Sequence, residues 1–117
     1  MNATQFVKSL YANVDSKNLN GLAGMLDEEV RFKFANHDAV NGMEDTLQAN
    51  EGFFSSINSM RHSFNGIWQQ GDTIICNGQV HYVRLNGSEC SAEFATILTI
   101  RNEKITNYLI YADVSEL

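Results

Sequence analysis

The stretch CNGQVHYVRLNGSECSAEFAT, residues 76–96, decides the fold, because a turn signal stands between two segments of strand-like composition. Asn86–Gly87 is the strongest short-range hairpin signal, since a two-residue type I′ turn needs positive φ at both positions. Such a loop pairs Leu85 with Ser88, and the rest of the register follows. It predicts the pairs Val83–Cys90, His81–Ala92, Gln79–Phe94 and Asn77–Thr96.

This register also predicts which side chains share a face of the hairpin, because side chains alternate along a strand. One face carries Asn77, Gln79 and His81 among apolar neighbours that include Phe94. We expect this face to point inward, toward helices. An unpaired polar group there costs about 1–3 kcal/mol, so a wettable pocket explains three of them better than core packing does.

The opposite face of the hairpin is also apolar. It carries Ile74, Cys76, Val80 and Tyr82 on one strand, and Ala95 and Ile97 on the other. A sheet in a small monomer is usually wet on one side, and adjacent exposed apolar residues form a patch that needs a partner. We therefore expect one face to meet the helices and the outer face to form a two-fold homodimer.

Upstream of the hairpin, the apolar spacing predicts three helices and one strand. TQFVKSLYANVDS predicts a helix with Thr4 as its N-cap, and SKNLNGLAGML predicts a short second helix. EVRFKF alternates strictly, which is typical of a half-buried strand. GMEDTLQANEGFFSSINS predicts the third helix, and its apolar stripe comprises Met43, Leu47, Phe54 and Ile57.

From residue 60 onward every segment reads as strand, which gives the order α-α-β-α-β-β-β-β. This is an α+β fold with a long antiparallel sheet and helices on one face. Bulges are expected in such long strands. The last strand has two alternatives: a two-residue turn at Asn102–Glu103 sends Tyr111 and Asp113 inward, whereas a three-residue turn sends in Tyr108 and Ala112.

Length and charge limit the possible functions. The 117 residues, 44% of them hydrophobic, suffice for one domain, residues 1–117, with one core. A net charge of −6 without basic clusters argues against a nucleic-acid or anionic-membrane partner. Cys76 and Cys90 lie too far apart on the predicted hairpin for a disulfide. With no signal-peptide pattern at the N-terminus, we expect a cytoplasmic protein.

The order of elements resembles the SnoaL-like branch of the nuclear-transport-factor-2-like superfamily. The matching pieces are VDSKNLNGLAGMLDEEVRFKF, NGMEDTLQANEGFF, RHSFNGIWQQGDTIICNGQVHYV and ILTIRNEKITNYLIYAD, which cover nearly the whole chain. The resemblance implies a cone, in which a curved sheet wraps around three helices and encloses a pocket. It also implies dimers formed through the outer sheet face. Activities in this superfamily are diverse, so the fold alone does not settle the chemistry.

Two of the superfamily's activities fit this chain poorly. The ketosteroid isomerase pattern places its carboxylate base on Phe34, its acid on Thr96 and its tyrosine on Leu10, so all three groups are missing. The epoxide hydrolases of this fold use an Asp–Arg–Asp set. Only Asp113 matches that set, and no Arg-x-Asp stands on the neighbouring strand.

The scytalone-dehydratase-like members give a partial match. VDSKNLNGL resembles their first helix junction and supplies Asp15, while RHSFNG resembles their second strand and supplies His62. Their second histidine lies on the third strand, where this chain has His81, although the matching position falls nearer Arg84. An imidazole can take up a proton near neutral pH, and a carboxylate such as Asp15 would fix its tautomer.

These observations predict a small, largely apolar ligand in an interior pocket and, with no cofactor or metal, an isomerase, dehydratase or cyclase reaction. The catalytic candidates are His62, His81 and Asp15. The expected lining comprises Tyr11, Phe34, Trp68, Asn77, Gln79, Phe94, Thr96 and Tyr108. A non-catalytic role stays open for each candidate. His81 can be a hydrogen-bonded core histidine, His62 an exposed residue and Asp15 a helix-end residue. The alternative function is a non-enzymatic ligand-binding or dimerisation module.

Overall fold

The computed structural model describes residues Met1–Leu117 as three helices and six strands. The helices are α1 (Ala3–Asp15), α2 (Leu19–Ala23) and α3 (Met43–Ser55). The strands are β1 (Leu26–Phe34), β2 (Val40–Asn41), β3 (Ile57–Gln70), β4 (Thr73–Arg84), β5 (Glu89–Arg101) and β6 (Lys104–Ala112). The predicted α+β class and the order of the main elements are confirmed. The two-residue strand β2 was not predicted.

The strands form one curved, open sheet in the order β2-β1-β6-β5-β4-β3. Strands β3 to β6 are antiparallel neighbours joined by short turns. The pair β1–β6 is parallel, so the prediction of a wholly antiparallel sheet is wrong there. Because β1 and β6 are far apart in the chain, no tight turn fixes their relative direction.

The N-cap of helix α1 lies two residues before the predicted one. The side chain of Asn2 accepts a hydrogen bond from the backbone N–H of Gln5 at 3.1 Å, so Asn2 is the N-cap and Thr4 lies inside the helix. The buried face of α1 follows the predicted spacing and comprises Val7, Leu10, Tyr11 and Val14. None of the helices is long and apolar enough to cross a membrane.

Helix α3 is shorter than predicted, and its buried face differs from the predicted stripe. The helix ends at Ser55, and Ile57 begins β3. The buried positions of α3 are Thr46, Asn50 and Phe54, spaced four residues apart. Two of them are polar, which is why a search for apolar spacing chose Met43 and Leu47 instead.

The hairpin of β4 and β5 has a register one residue away from the predicted one. Val83 pairs with Glu89, His81 with Ser91 and Asn77 with Ala95. The loop therefore has three residues, with Gly87 at φ 87° and its N–H donating to the carbonyl of Arg84 at 2.9 Å. Three-residue loops of this kind are also common in hairpins.

The observed register differs from the predicted one by one residue, and this difference changes which side chains of β4 and β5 share a face. Ile74, Cys76, Val80 and Tyr82 are buried on the inner face and share it with Phe94, Thr96 and Leu98. Asn77, Gln79 and His81 lie on the outer face. The prediction that these three polar side chains point inward is wrong, because burying the four larger, mostly apolar side chains is the more favourable choice.

The turn between β5 and β6 combines features of both predicted alternatives. Arg101 pairs with Lys104 across a two-residue turn, with φ 53° at Asn102 and 61° at Glu103. A change of register follows between the pairs Thr99–Asn107 and Ile100–Ile105. This bulge reverses the alternation, so Tyr108 and Ala112 face inward as the three-residue alternative predicted.

A second bulge bends β3 over the helices. The register with β4 changes between Phe64–Gly78 and Gly66–Asn77, so Asn65 is an extra residue on β3. At this point a Cβ on Gly78 would stand 1.9 Å from the backbone oxygen of Ser63. The close approach of the two backbones is possible only with glycine at position 78. The bend contributes to the curvature that leaves a cavity inside the sheet.

Candidate functional site

A cavity of about 420 Å³ lies between the inner sheet face, α1, α3 and the loop after β1. Its size is in the range of small-molecule sites. Aromatic and aliphatic side chains dominate the interior. The lining includes Tyr11, Val14, Phe32, Phe34, Asn50, Phe53, Phe54, Met60, His62, Val80, Tyr82, Phe94, Tyr108, Ile110 and Ala112.

The mouth of the cavity is formed by α3 and by the loop between β1 and β2. Exposed side chains of His37, Asp38, Gln48 and Ser56 stand at this rim. The ring of His37 packs edge-on against Phe34, with ring centroids 5.7 Å apart. The interior therefore opens to solvent past a polar rim.

His62 and Asp15 form a two-point clamp at the cavity wall. Nδ1 of His62 lies 2.6 Å from Oδ1 of Asp15, and the backbone N–H of His62 donates to Oδ2 at 2.9 Å. Asp15 is the last residue of α1 and His62 lies on β3, so the pair joins the helix layer to the sheet. The side chains of His62 and Asp15 are 8% and 23% exposed.

The hydrogen bond to Asp15 determines which nitrogen of the neutral His62 imidazole carries the hydrogen. A carboxylate can only accept hydrogen bonds, so in the neutral imidazole of His62 Nδ1 carries the hydrogen and Nε2 carries the lone pair. Nε2 has no hydrogen-bond partner in the protein, and the ring of His62 lines the cavity. The arrangement leaves a free lone pair at the cavity wall.

Aromatic rings hold the imidazole of His62 in place. The ring centroid of Tyr11 lies 4.2 Å away at a tilt of 34°, and that of Phe94 lies 5.0 Å away and nearly perpendicular. Tilted and edge-on contacts of this kind are favourable for aromatic pairs. With Asp15 bonded to Nδ1 and two neighbouring rings packed against it, the imidazole has little freedom to turn.

A buried set of hydroxyl groups lies beside the His62–Asp15 pair. The phenol of Tyr11 is hydrogen-bonded to Thr96, and the phenol of Tyr108 lies near it. Burial raises the pKa of Tyr11 and of Tyr108 well above the usual value for a phenol. Both phenols therefore stay protonated, and each can donate a hydrogen bond.

Tyr82 is a further phenol in the cavity, and sequence reasoning placed it on the outer face. It is 3% exposed, lines the cavity and has no hydrogen-bond partner within the protein. Burial, followed by the charges of Cys90 and Asp15, raises its pKa to about 12. Tyr82 therefore presents a protonated O–H to whatever occupies the cavity.

The structure brings together part of the predicted site. Asp15 and His62 are in contact, and Tyr11, Phe34, Phe94 and Tyr108 line the cavity. Thr96 faces inward but is fully buried behind the phenol of Tyr11 rather than at the cavity surface. The sequence placed these residues on the inner face because none of them lies on β4, the strand whose orientation changes with the length of the hairpin loop.

The other predicted site residues lie outside the cavity. Asn77, Gln79 and His81 are on the outer face because of the hairpin register. Trp68 is 56% exposed and its ring covers Gly66 on the same outer face. The placement of these four residues in the pocket is therefore wrong.

His81 is part of a surface cluster instead. Its Nε2 lies 2.7 Å from Glu89, its Nδ1 lies 3.1 Å from Ser91, and its side chain is 39% exposed. The alternative of a buried core histidine is also wrong. His81 cannot exchange a proton with a molecule in the cavity, because the sheet separates the two.

No group of three or more His, Cys, Asp or Glu side chains is arranged to hold a metal ion. Cys76 and Cys90 are both free thiols. Burial raises the pKa of Cys76 to about 11. Neither thiol lines the cavity, so the chemistry available there comes from imidazole, carboxylate, phenol and amide groups.

The sequence model of the SnoaL-like domain matches residues 7–108. The chain belongs to the SnoaL-like family. This confirms the resemblance seen in the sequence and accounts for the cone-shaped architecture. No curated protein is similar enough in sequence to count as a relative.

Solved structures show the same fold at low sequence identity. An NTF2-like protein of unknown function from Burkholderia pseudomallei K96243 superposes with a TM-score of 0.88 at 18% identity, over 99% of this chain and 94% of that chain. A Jannaschia sp. CCS1 protein assigned as a SnoaL-like polyketide cyclase gives 0.84 at 14% identity, over 97% and 87%. An LEH-like epoxide hydrolase from M. tuberculosis gives 0.82 at 11% identity, over 97% and 84%.

Proposed function

We propose that this SnoaL-like protein binds a small, largely apolar carbonyl compound in its cavity and catalyses a proton transfer on it without a cofactor. The observation that carries the proposal is the His62–Asp15 pair, whose free Nε2 is held at the wall of an aromatic cavity. An apolar interior with a few placed polar groups is typical of small-molecule sites. A base with a fixed tautomer and no internal partner is suited to act on the occupant.

The proposed chemistry begins with removal of a proton next to the carbonyl group. The C–H bond breaks, the proton moves to Nε2 of His62, and the electron pair moves onto the carbonyl oxygen. Asp15 stabilises the imidazolium that forms, and the protonated phenol of Tyr82 donates a hydrogen bond to the enolate oxygen. Isomerisation, dehydration and cyclisation can all start from such an enolate, so the proposal covers the three reaction types predicted from the sequence.

The direct test is hydrogen–deuterium exchange at the methyl group of acetophenone in D₂O, followed by proton NMR. We expect the protein to accelerate this exchange above the buffer rate. Tyr82→Phe removes the donor to the enolate, so its rate should fall about tenfold or more. Tyr111→Phe makes the same chemical change on the exposed outer face and is the matched control, with an unchanged rate. Exchange at the buffer rate with the wild-type protein would contradict the proposed catalysis.

The experiment with acetophenone also distinguishes the alternative function. If acetophenone shifts the backbone amide resonances of cavity residues but no exchange occurs, the protein is a non-enzymatic binding module. The mostly apolar interior supports binding in either case. The two free cysteines are typical of a reducing compartment, and we keep the cytoplasm as the proposed location.

We also propose that two copies associate through the outer sheet face. An apolar row crosses four neighbouring strands there and comprises Trp68, Ile75, Ile97 and Leu109. Trp68 and Ile75 are 56% and 39% exposed, and Tyr111, one step along β6, is 53% exposed. On the same face, the enclosed amide oxygens of Asn77 and Asn107 have no partner within the chain. A second copy would cover the apolar row and remove it from water.

We expect the wild-type protein to elute with the mass of two chains in size-exclusion chromatography with light scattering. Ile97→Glu places a charge in the centre of the apolar row, so it should shift the mass to that of one chain. Val83→Glu adds the same charge on the outer face beyond the row and should leave the dimer intact. A wild-type mass of one chain at tens of micromolar would refute the dimer.

A further inference from the structure

Asn50 is a buried polar residue of the cavity that the proton-transfer chemistry does not use. It lies on α3, is 6% exposed and lines the cavity. Its side-chain nitrogen donates to the backbone carbonyl of Thr46 at 2.9 Å. This bond fixes the amide so that Nδ2 points back along the helix and Oδ1 points away from it.

The fixed amide leaves Oδ1 of Asn50 as an acceptor at the cavity surface. Oδ1 accepts no hydrogen bond within the protein, and it is not among the fully enclosed polar atoms that lack a partner, such as Oγ1 of Thr46. Oδ1 therefore keeps some accessible surface, on a side chain that lines the cavity. An apolar occupant would cover this oxygen without satisfying it, and that loss is costly.

The charged groups at the cavity restrict the kind of ligand that it can hold. No lysine or arginine lines the cavity, whereas Asp38 stands at its rim and Asp15 contacts the lining residue His62. Nε2 of His62 is a second acceptor. A carboxylate or phosphate ligand would lose its hydration without gaining a lysine or arginine partner. A neutral ligand that carries a donor fits the same groups.

We propose that Oδ1 of Asn50 accepts a hydrogen bond from a hydroxyl group of the ligand, so that the cavity takes neutral hydroxylated carbonyl compounds and rejects carboxylates. The inference rests on the proposed function, because it concerns the occupant of the same cavity. Asn50 is a specificity residue in this scheme. It selects the ligand by accepting a hydrogen bond from the ligand's hydroxyl group, which is separate from the reacting carbon next to His62.

The test compares three ring compounds of similar size: acetophenone, para-hydroxyacetophenone and benzoate. Dissociation constants come from NMR titration of the backbone amides. We expect the wild-type protein to bind para-hydroxyacetophenone about five to ten times more tightly than acetophenone, and benzoate more weakly than either. Asn50→Leu keeps the approximate size but removes the acceptor, so the hydroxyl preference should fall to about one.

Two further variants make the result specific to the acceptor. Asn50→Ala removes the same oxygen without crowding the cavity, so it must lose the hydroxyl preference as well. Gln79→Leu removes an amide from the outer face of the sheet, away from the cavity, and should keep the preference. Urea unfolding of each variant checks that the fold is retained.

The outcomes separate this inference from the proposed function. If both ketones bind but the wild-type protein shows no hydroxyl preference, or both Asn50 variants retain it, the role of Asn50 is refuted while the ligand site stands. Binding of benzoate as tight as that of acetophenone refutes the exclusion of anions. If neither ketone shifts any cavity resonance, the proposed function fails first, and the inference fails with it.

Discussion

His62→Gln is expected to lower the protein-dependent exchange rate of acetophenone about a hundredfold or more. Glutamine keeps a polar side chain at the cavity wall but offers no basic nitrogen, and a positioned general base contributes about 10²- to 10⁴-fold to such a step. Binding of acetophenone should change far less, because aromatic side chains form most of the cavity wall. The measurement is the ratio of exchange rates under saturating ketone, with the dissociation constant determined separately.

Asp15→Asn tests the positioning role of the carboxylate. An asparagine amide can donate to Nδ1 of His62, which moves the imidazole hydrogen to Nε2 and removes the free lone pair. We expect the exchange rate to fall about ten- to hundredfold. The imidazole nitrogen chemical shifts report the tautomer directly: the wild-type protein should carry the hydrogen on Nδ1, and Asp15→Asn should carry it on Nε2.

His81 provides the comparison for both variants. Because His81 lies on the outer face with Glu89 and Ser91, His81→Gln should leave the exchange rate within about twofold of wild type. An equal loss of exchange rate in His62→Gln and His81→Gln would show that the exchange does not depend on the His62–Asp15 pair. Far-ultraviolet circular dichroism of all three variants checks that the fold is retained.

Gly78→Ala is expected to have the largest effect on stability. The added methyl group would stand 1.9 Å from the backbone oxygen of Ser63 and 2.9 Å from Cα of Phe64. Backbone atoms cannot move aside as a side chain can, so β3 and β4 must separate at the bulge. We expect a loss of about 2–4 kcal/mol in the free energy of unfolding, measured by urea titration at fixed protein concentration.

Gly66→Ala is the matched control on the adjoining strand. Its methyl group would also meet an atom at 2.2 Å, but that atom belongs to the ring of Trp68, an exposed side chain that can swing away. We expect a loss below about 1 kcal/mol. Equal losses for the two alanine variants would show that the backbone contact at Gly78 is not the cause.

The sequence predicts much of the architecture because the strongest patterns depend on local physics. Strict alternation in β1 places Val30, Phe32 and Phe34 on one side, and all three face the interior. Helical spacing likewise identifies the buried face of α1. The contact between Asp15 and His62 spans 47 positions, and the two residues were singled out by family resemblance rather than by their spacing.

The outer-face residues show where local patterns are insufficient. Asn86–Gly87 is compatible with a two-residue and a three-residue loop, since both loop lengths are common in hairpins. The choice is made by long-range packing, which buries Tyr82 and Val80 against the helices. Asn50 was missed for a related reason: a polar residue on a buried helix face is invisible to a search for apolar spacing.

The three-residue loop at the tip of β4 and β5 has a consequence for how such cavities diversify. Side-chain orientation along a strand has a period of two, so adding or deleting one residue at the tip exchanges, on one of the two strands, the side chains that face solvent for those that face a guest molecule. A cone of this type carries two alternative linings in one pair of strands. A change in the length of a solvent-exposed bend, far from any reacting atom, can replace one lining with the other.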